Sequence, residues 1–294
     1  MHQQAKLLFK SIYNALPLKP RIFEMLRPMH LPPRLYRHLH FKGSIEVGVK
    51  DADSFKIMHY GYAEENELFW AGLEGCWESV SLDVWRRPAA SARVICDVGA
   101  NHGVYSLVAK AVNPGSKVYA FEPVEPIFHR FKANCELNDY DIEAVLAAVS
   151  DFDGQSVLHV PLSDHSSSAS LSEDFVQSKH VPTTAQPVKV VRLETFFRQS
   201  GVADVQLLKI DAETAESKIL KGLGSFLSAR PSIIIEVLSD AAGREIESIV
   251  SGLHYLFFDI DEKSKPKRTA HITRSSRLNY LLCQPAVAKE LSII

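Results

Sequence analysis

The segment Asp97-Val98-Gly99-Ala100-Asn101-His102-Gly103 closes an apolar run, Val94 to Val98, and opens a stretch of helical composition. Open α/β sheets bind ligands beyond the carboxyl ends of their strands, and a strand, a glycine turn and a helix in that order build such a crevice. Gly99 and Gly103 let the backbone turn sharply and approach a ligand closely. The spacing is GxxxG after an acid, not the GxGxxG that seats a pyrophosphate on a helix N-terminus. Asp97 at the strand end suits a ligand with a cationic amino group, or else it caps the next helix. Glu122 ends the following run, Val118 to Phe121, where a carboxylate can accept both hydroxyls of a ribose. Both acids with the glycine turn point to a nucleoside site.

A third run ends in Ala148-Val149-Ser150-Asp151, two polar residues able to meet an adenine edge while Val149 packs on its face. A fourth ends in Leu207-Leu208-Lys209-Ile210-Asp211-Ala212-Glu213. Side chains alternate along a strand, so Lys209 and Asp211 share a face and Glu213 follows at the start of a helix. Such groups can position a substrate hydroxyl or take its proton. The competing reading is an internal salt bridge from Lys209 to Asp211 or Glu213, with Glu213 at the helix's positive end. Glu216 reads as a helix-surface or capping group. His102 has a reference pKa suited to a base, although its ring is expected to point outward while its backbone shapes the loop. His165 is a more distant candidate; it lies in the Ser-rich loop Ser163 to Ser172, whose composition suits a lid or a linker. The 12 histidines show no HxxxH or carboxylate spacing, so no metal site is expected.

The elements that must hold these residues alternate regularly from about Arg93. Strands are expected at Val94 to Val98, Val118 to Phe121, Ile142 to Val149, Val205 to Ile210 and Ile233 to Val237. Helical stretches intervene at Val104 to Val112, Pro126 to Leu137 and Glu213 to Leu223. Gln155 to Val160 and Val188 to Val191 read as an added hairpin, and Tyr255 to Ile260 with Asn279 to Cys283 as a terminal pair. That pattern predicts an α/β fold with a mostly parallel, doubly wound sheet, the fourth strand beside the first. Upstream, Ile57 to Tyr60 reads as a strand, and Glu65 to Trp85 carries apolar residues at helical spacing. The expected division is a basic N-terminal arm or accessory region over 1–60 and a main domain over 61–294, its core sheet starting near 93.

Composition narrows the class further. The 294 residues are 46% hydrophobic, ample for a packed core, and the formal net charge of −2 gives no global pull toward nucleic acid. Apolar runs are too short to span a membrane, and Lys10 breaks the Leu7-Leu8-Phe9 run, so neither a membrane span nor a signal peptide is expected. Cys76, Cys96, Cys135 and Cys283 are dispersed without a CxxC pair, which fits a reducing compartment. The expected setting is cytoplasmic. Charge is uneven: Met1 to Lys42 contains eight Lys and Arg against the single acid Glu24, interrupted by five prolines. That arm is either a platform for an acidic partner or a solvated extension. The Trp77 and Trp85 region packs on the core or on a second subunit, which leaves a homo-oligomer open.

Three segments resemble the FkbM-type S-adenosylmethionine-dependent methyltransferases: VICDVGANHGVYSL (Val94 to Leu107), VYAFEP (Val118 to Pro123) and LLKIDAETAESKILKG (Leu207 to Gly222). Weaker echoes run through Phe69 to Leu82, Ala148 to Gly154 and Pro231 to Val237, so the resemblance covers roughly Tyr60 to Pro285. One position departs: members have Gly after the Glu of KIDxEG, and Thr214 stands here. The resemblance implies a class I (Rossmann-like) methyltransferase fold with a seven-stranded sheet, S-adenosyl-L-methionine as cofactor, and a small-molecule or glycan acceptor. It implies O-methylation of a hydroxyl on a sugar-containing or other secondary-metabolite acceptor. By position Asp97, Gly99, Asn101 and Gly103 would meet the amino acid end, Glu122 the ribose, and Ser150 or Asp151 the adenine. Among Lys209, Asp211 and Glu213, Asp211 is the first candidate base and Glu213 the second. Two rivals stand beside this reading: a methyltransferase-like binding or scaffold module without activity, and a nicotinamide-dependent oxidoreductase, against which the missing GxGxxG argues.

Overall fold

The computed structural model describes residues 18–162, 169–172, 182–275 and 277–294. Helices α1 (Lys19–Leu26) and α2 (Pro33–Tyr36) precede a hairpin of β1 (Gly43–Val47) and β2 (Phe55–His59), then α3 (Ala63–Ala71) and α4 (Ser79–Ala89). The alternating part begins with β3 (Val94–Val98), α5 (Val104–Val112), β4 (Lys117–Phe121), α6 (Glu125–Leu137) and β5 (Ile142–Val145). Strands β6 (Ala148–Ser150), β7 (Gly154–Pro161) and β8 (Thr183–Arg192) form a separate small sheet. Then come α7 (Leu193–Gln199), β9 (Leu207–Ile210), α8 (Glu216–Leu223), β10 (Ser232–Glu236) and α9 (Asp240–Ile249). The chain closes with β11 (Leu256–Asp259), β12 (Lys267–Thr269), β13 (Asn279–Cys283) and α10 (Pro285–Glu290).

The main sheet runs β12-β11-β13-β10-β9-β3-β4-β5, with the five strands from β10 to β5 parallel and β13, β11 and β12 added through antiparallel pairings. Every residue of β9 and β13 is buried, as strands covered on both faces require. The expected neighbours β9 and β3 pair from Ile95↔Leu207 to Val98↔Ile210. From β3 the order runs one way to β4 and the other way to β9, so the switch point of this sheet lies between β3 and β9.

Two expectations need correction. The resemblance implies seven strands, and the sheet has eight, because Lys267–Thr269 adds an antiparallel edge to β11. The third strand, expected as Ile142 to Val149, is broken. Ala147 N–H donates to Val145 O in a tight turn, Leu146 is turned outward, and Ala148–Ser150 pairs with β8 instead. The added hairpin does form, with β7 and β8 antiparallel from Gly154↔Val190 to Pro161↔Thr183.

The two faces of the sheet carry separate apolar cores. One joins Val47, Ile57, Leu68, Leu82 and Trp85 from the N-terminal elements to Ile95, Leu107 and Val118; the other joins Val98, Phe121 and Ile210 to Ile219, Phe226 and Ile246. Trp85 is fully buried, its Nε1 donating to Tyr105 O at 2.9 Å, so it belongs to the core. All four cysteines are free and buried. No described helix is long and apolar enough to cross a membrane.

Candidate active site

A cavity of about 230 Å³ opens at the carboxyl ends of β3, β4, β9 and β10. Its floor is the glycine turn. Gly99 has φ 75°, and a Cβ there would lie 1.7 Å from Asp211 O, so only glycine permits the β3 turn to press against the end of β9. Gly103 (φ 86°) is held open for the ring of Phe131, 2.2 Å from where its Cβ would be. It shapes the start of α5 and does not line the cavity.

Of the residues singled out in the sequence, Gly99, Asn101, Glu122, Lys209, Asp211 and Glu213 meet in the cavity wall. Asp97 does not. It is fully buried behind the wall, Oδ2 accepting from Ser106 Oγ at 2.7 Å while Oδ1 has no hydrogen-bond partner. Burial raises its pKa, against the pull of Lys209 and Ser106. Ser150 and Asp151 are also absent from the wall. Ser150 O sits 2.2 Å from where a Cβ on Gly222 would be, so these residues pack on α8, and Ala147, Ala148 and Val149 supply the third strand's share of the lining. The break after β5 causes this shift.

Glu122 is buried and spans two backbone segments: Oε2 accepts from Asn101 N–H and Oε1 from Val124 N–H, each at 2.9 Å. Burial dominates over these two bonds and pushes its pKa up to about 7. Asn101 takes φ 50°, and its buried Oδ1 has no hydrogen-bond partner.

Lys209 and Asp211 form the salt bridge that the sequence left as one alternative, Nζ to Oδ2 at 3.0 Å. The ammonium also lies 4.9 Å from the centre of the Tyr105 ring. Burial opposes its charge, but Asp211, Asp97 and Glu78 outweigh burial and raise its pKa. Helix α8 starts at Glu216, later than expected. Glu216 caps the preceding turn from within, Oε1 accepting from Ala212 and Thr214 N–H at 3.1 Å each. Both Glu213 (φ 49°) and Thr214 (φ 89°) are left-handed there. Ser170 Oγ donates to Glu213 O at 2.5 Å, tying the turn to the chain beyond β7.

Two contributors were not foreseen, and a third is placed otherwise than expected. Glu236 at the end of β10 lines the cavity with a buried Oε2 lacking a hydrogen-bond partner; burial, then Asp211 and Glu213, push its pKa up. Its signal was available, since it ends the run Ile233 to Ile235 just as Glu122 ends its own. Glu78 accepts from Tyr105 Oη at 2.9 Å and from Asn279 Nδ2 at 3.1 Å. It lies just before α4, outside the strand alternation, and had no such signal. His102 is the third: its ring is buried in the wall rather than outward, parallel to Tyr62 at 6.3 Å, with Nδ1 3.7 Å from Glu64. His165 and residues 163–168 of the Ser-rich loop lie outside the described residues. Among the described residues no group of three or more His, Cys, Asp or Glu could hold a metal ion.

These residues fit an S-adenosylmethionine-sized ligand on the structure's own terms. The close backbone turn at Gly99, the orphaned Asn101 Oδ1, the carboxylates of Glu122 and Asp211, and the apolar slot of Val149, Ile127 and Leu158 converge on one space.

Residues 97–262 match the family described as the methyltransferase FkbM domain. Among curated proteins, the chain is 29% identical over 153 residues to the 31-O-demethyl-FK506 methyltransferase FkbM of Streptomyces tacrolimicus, covering 44% of this chain and 59% of that one. It is 29% identical over 144 residues to methyltransferase 1 of Beauveria bassiana, covering 44% of this chain and 57% of that one. The chain thus spans less than two thirds of either relative. A solved S-adenosylmethionine-dependent methyltransferase from Agrobacterium tumefaciens superposes with a TM-score of 0.43 at 10% identity, over 82% of this chain and 70% of that one. With more than half of its residues inside the domain match, the chain belongs to the FkbM methyltransferase family.

Proposed function

We propose that this chain transfers a methyl group from S-adenosyl-L-methionine to a hydroxyl oxygen of a sugar-containing or other secondary-metabolite acceptor. The observation that carries the reading is the Lys209–Asp211 pair, set in a cavity wall that also holds the Gly99 turn and Glu122. The Streptomyces relative is named as an O-methyltransferase of its own substrate, which supports the choice of atom.

The cofactor would supply a methyl group on a positively charged sulfur. Everything else falls to the chain. The Gly99–Asn101 backbone and the Asn101 amide hold the amino acid end, and Glu122 takes the ribose hydroxyls. Asp97 stays behind the wall and steadies α5 through Ser106. Val149, Ile127 and Leu158 exclude water from the base. Asp211 accepts the acceptor's hydroxyl proton through its carboxylate, which Lys209 orients; Glu213 is the second candidate. Holding the reactants in line can contribute about 7–11 kcal/mol to the barrier reduction, so positioning outweighs proton transfer.

Calorimetry with S-adenosyl-L-methionine and with its demethylated product tests the cofactor; a folded protein that binds neither ends the proposal. An acceptor screen reading the mass gain of one methyl group tests the chemistry. With an acceptor in hand, Asp211→Asn is expected to cut turnover about 10²–10⁴-fold while cofactor affinity stays within a few-fold. Unchanged turnover removes Asp211 from the role.

A further inference from the structure

The face of α1 turned away from the core carries an apolar stripe. Leu18, Ile22, Met25 and Met29 recur at helical spacing along α1 and the 3-10 turn Arg27–Met29, and all are exposed, Met25 at 80% and Met29 at 66%. On the opposite face Phe23 is buried, its ring 5.8 Å from Phe41 and 5.5 Å from Trp70. Phe23 anchors α1 to the core. Tyr36 O accepts from Asn66 Nδ2 at 2.9 Å and Leu39 O from Trp70 Nε1 at 3.3 Å, fixing this region onto α3. Leu35 adds a further exposed apolar side chain on α2.

Charge selects the occupant. Arg21 on α1, Arg34 on α2, and Arg37 and Lys42 after it are exposed, and Glu24 is the single acid among residues 18–42, in a chain whose formal net charge is −2. A basic partner is repelled. A second copy meeting this face across a two-fold axis would set the same arginines against each other. Apolar side chains flanked by arginines are instead the composition of a helix lying in a membrane interface.

We propose that this face seats the protein on an anionic bilayer surface, with Ile22, Met25 and Met29 entering the headgroup boundary and Arg21, Arg34 and Arg37 meeting lipid phosphates. This is attachment to one leaflet, independent of the reading of the catalytic cavity. Each basic side chain near an anionic leaflet contributes about fivefold to partitioning, an attraction that salt screens.

The test is sedimentation of the full chain with phosphatidylcholine vesicles, with and without phosphatidylglycerol, at about 0.05 M and 0.5 M salt. Binding is expected only to the mixed vesicles and more weakly at high salt. Arg21→Gln, Arg34→Gln and Arg37→Gln together should lower it about 100-fold, at fivefold per charge. Met25→Ser with Met29→Ser should lower it about tenfold while leaving thermal unfolding unchanged, because both side chains are exposed. Absence of binding to the mixed vesicles overturns the proposal, as does equal binding to neutral ones. So does binding that survives the methionine changes, since the stripe would then play no part. A dimer in sedimentation velocity that those changes dissociate would assign the face to a second copy, and capture by an acidic protein without vesicle binding would assign it there.

Discussion

Thr214 and Glu122 show two ways in which a single side chain departs from its ordinary state. A β-branched residue at φ 89° is strained, and here that backbone is imposed by Glu216 below and Ser170 above. The family resemblance puts Gly at this position, so the departure was legible in KIDxET, but the strain shows only in the backbone. Thr214→Gly is expected to raise stability by about 1 kcal/mol, or roughly 2–4 °C in Tm; thermal unfolding checks it, and a lower Tm would show that the Thr214 hydroxyl, 3.3 Å from Ser170 Oγ, outweighs the strain. Glu122 holds its proton up to about pH 7 because burial outweighs its two backbone bonds. Ribose hydroxyls donate to the ionised form, so binding should release part of a proton near neutrality, and cofactor affinity should fall about tenfold between pH 8 and pH 6. Calorimetry in buffers of different ionisation enthalpy reads that release, and Glu122→Gln should abolish the part due to this residue. The position of Glu122 was readable from a strand-end acid. Its two backbone donors were not, because they belong to residues brought together by β4, the β3 turn and the start of α6.

At the scale of elements, α8 and the small sheet decide where the third strand ends up. Alternation alone reads Ile142 to Val149 as one strand, because a run of apolar residues carries no mark of where it changes partner. The mark lies elsewhere in the chain: β8 offers Val190 to Arg192 as a parallel partner, and Gly222 offers a helix surface low enough for Ser150 to rest on. That distant pairing is why the sequence pattern points to Ser150 and Asp151 while Ala147 to Val149 line the site. The parallel core strands were legible for the opposite reason, since burial on both faces makes each of them a continuous apolar run. Gly222→Ala brings a Cβ to 2.2 Å from Ser150 O, a backbone atom that cannot swing away. The variant is expected to lose about 1–3 kcal/mol in chemical denaturation and to bind cofactor more weakly, because β6 must shift and carry Val149 with it. Wild-type stability in Gly222→Ala would mean that α8 can slide freely against β6.

Across the whole molecule the near-neutral charge divides in two. Acids gather in the cavity around Lys209, while the exposed basic residues of 18–42 lie on the N-terminal helices and the segments that follow them. The family match begins at Asp97, yet the cavity does not. Glu64 and Glu65 line it from α3 and Trp77 and Glu78 from the turn before α4, and Glu78 reaches Tyr105 inside the matched segment and Asn279 beyond its end. These elements, with the β1–β2 hairpin, cover one face of the sheet, placing Val47, Phe55, Ile57, Leu68, Leu82 and Trp85 in a single core with Ile95 and Leu107. Side chains of this size contribute about 1.5–3 kcal/mol each on burial, against a total stability of about 5–15 kcal/mol. A chain starting at Arg93 would expose the matching surface of β3, α5 and β4 to water. It is therefore expected to lose cooperative unfolding, bind an apolar dye, and bind no cofactor even though Gly99, Asn101, Glu122, Lys209 and Asp211 are all retained. The measurement is a thermal melt followed by tryptophan-independent circular dichroism, with calorimetry beside it. A cooperative melt with intact cofactor affinity would show that residues 93–294 fold and bind alone, leaving the N-terminal elements to acceptor choice and surface attachment.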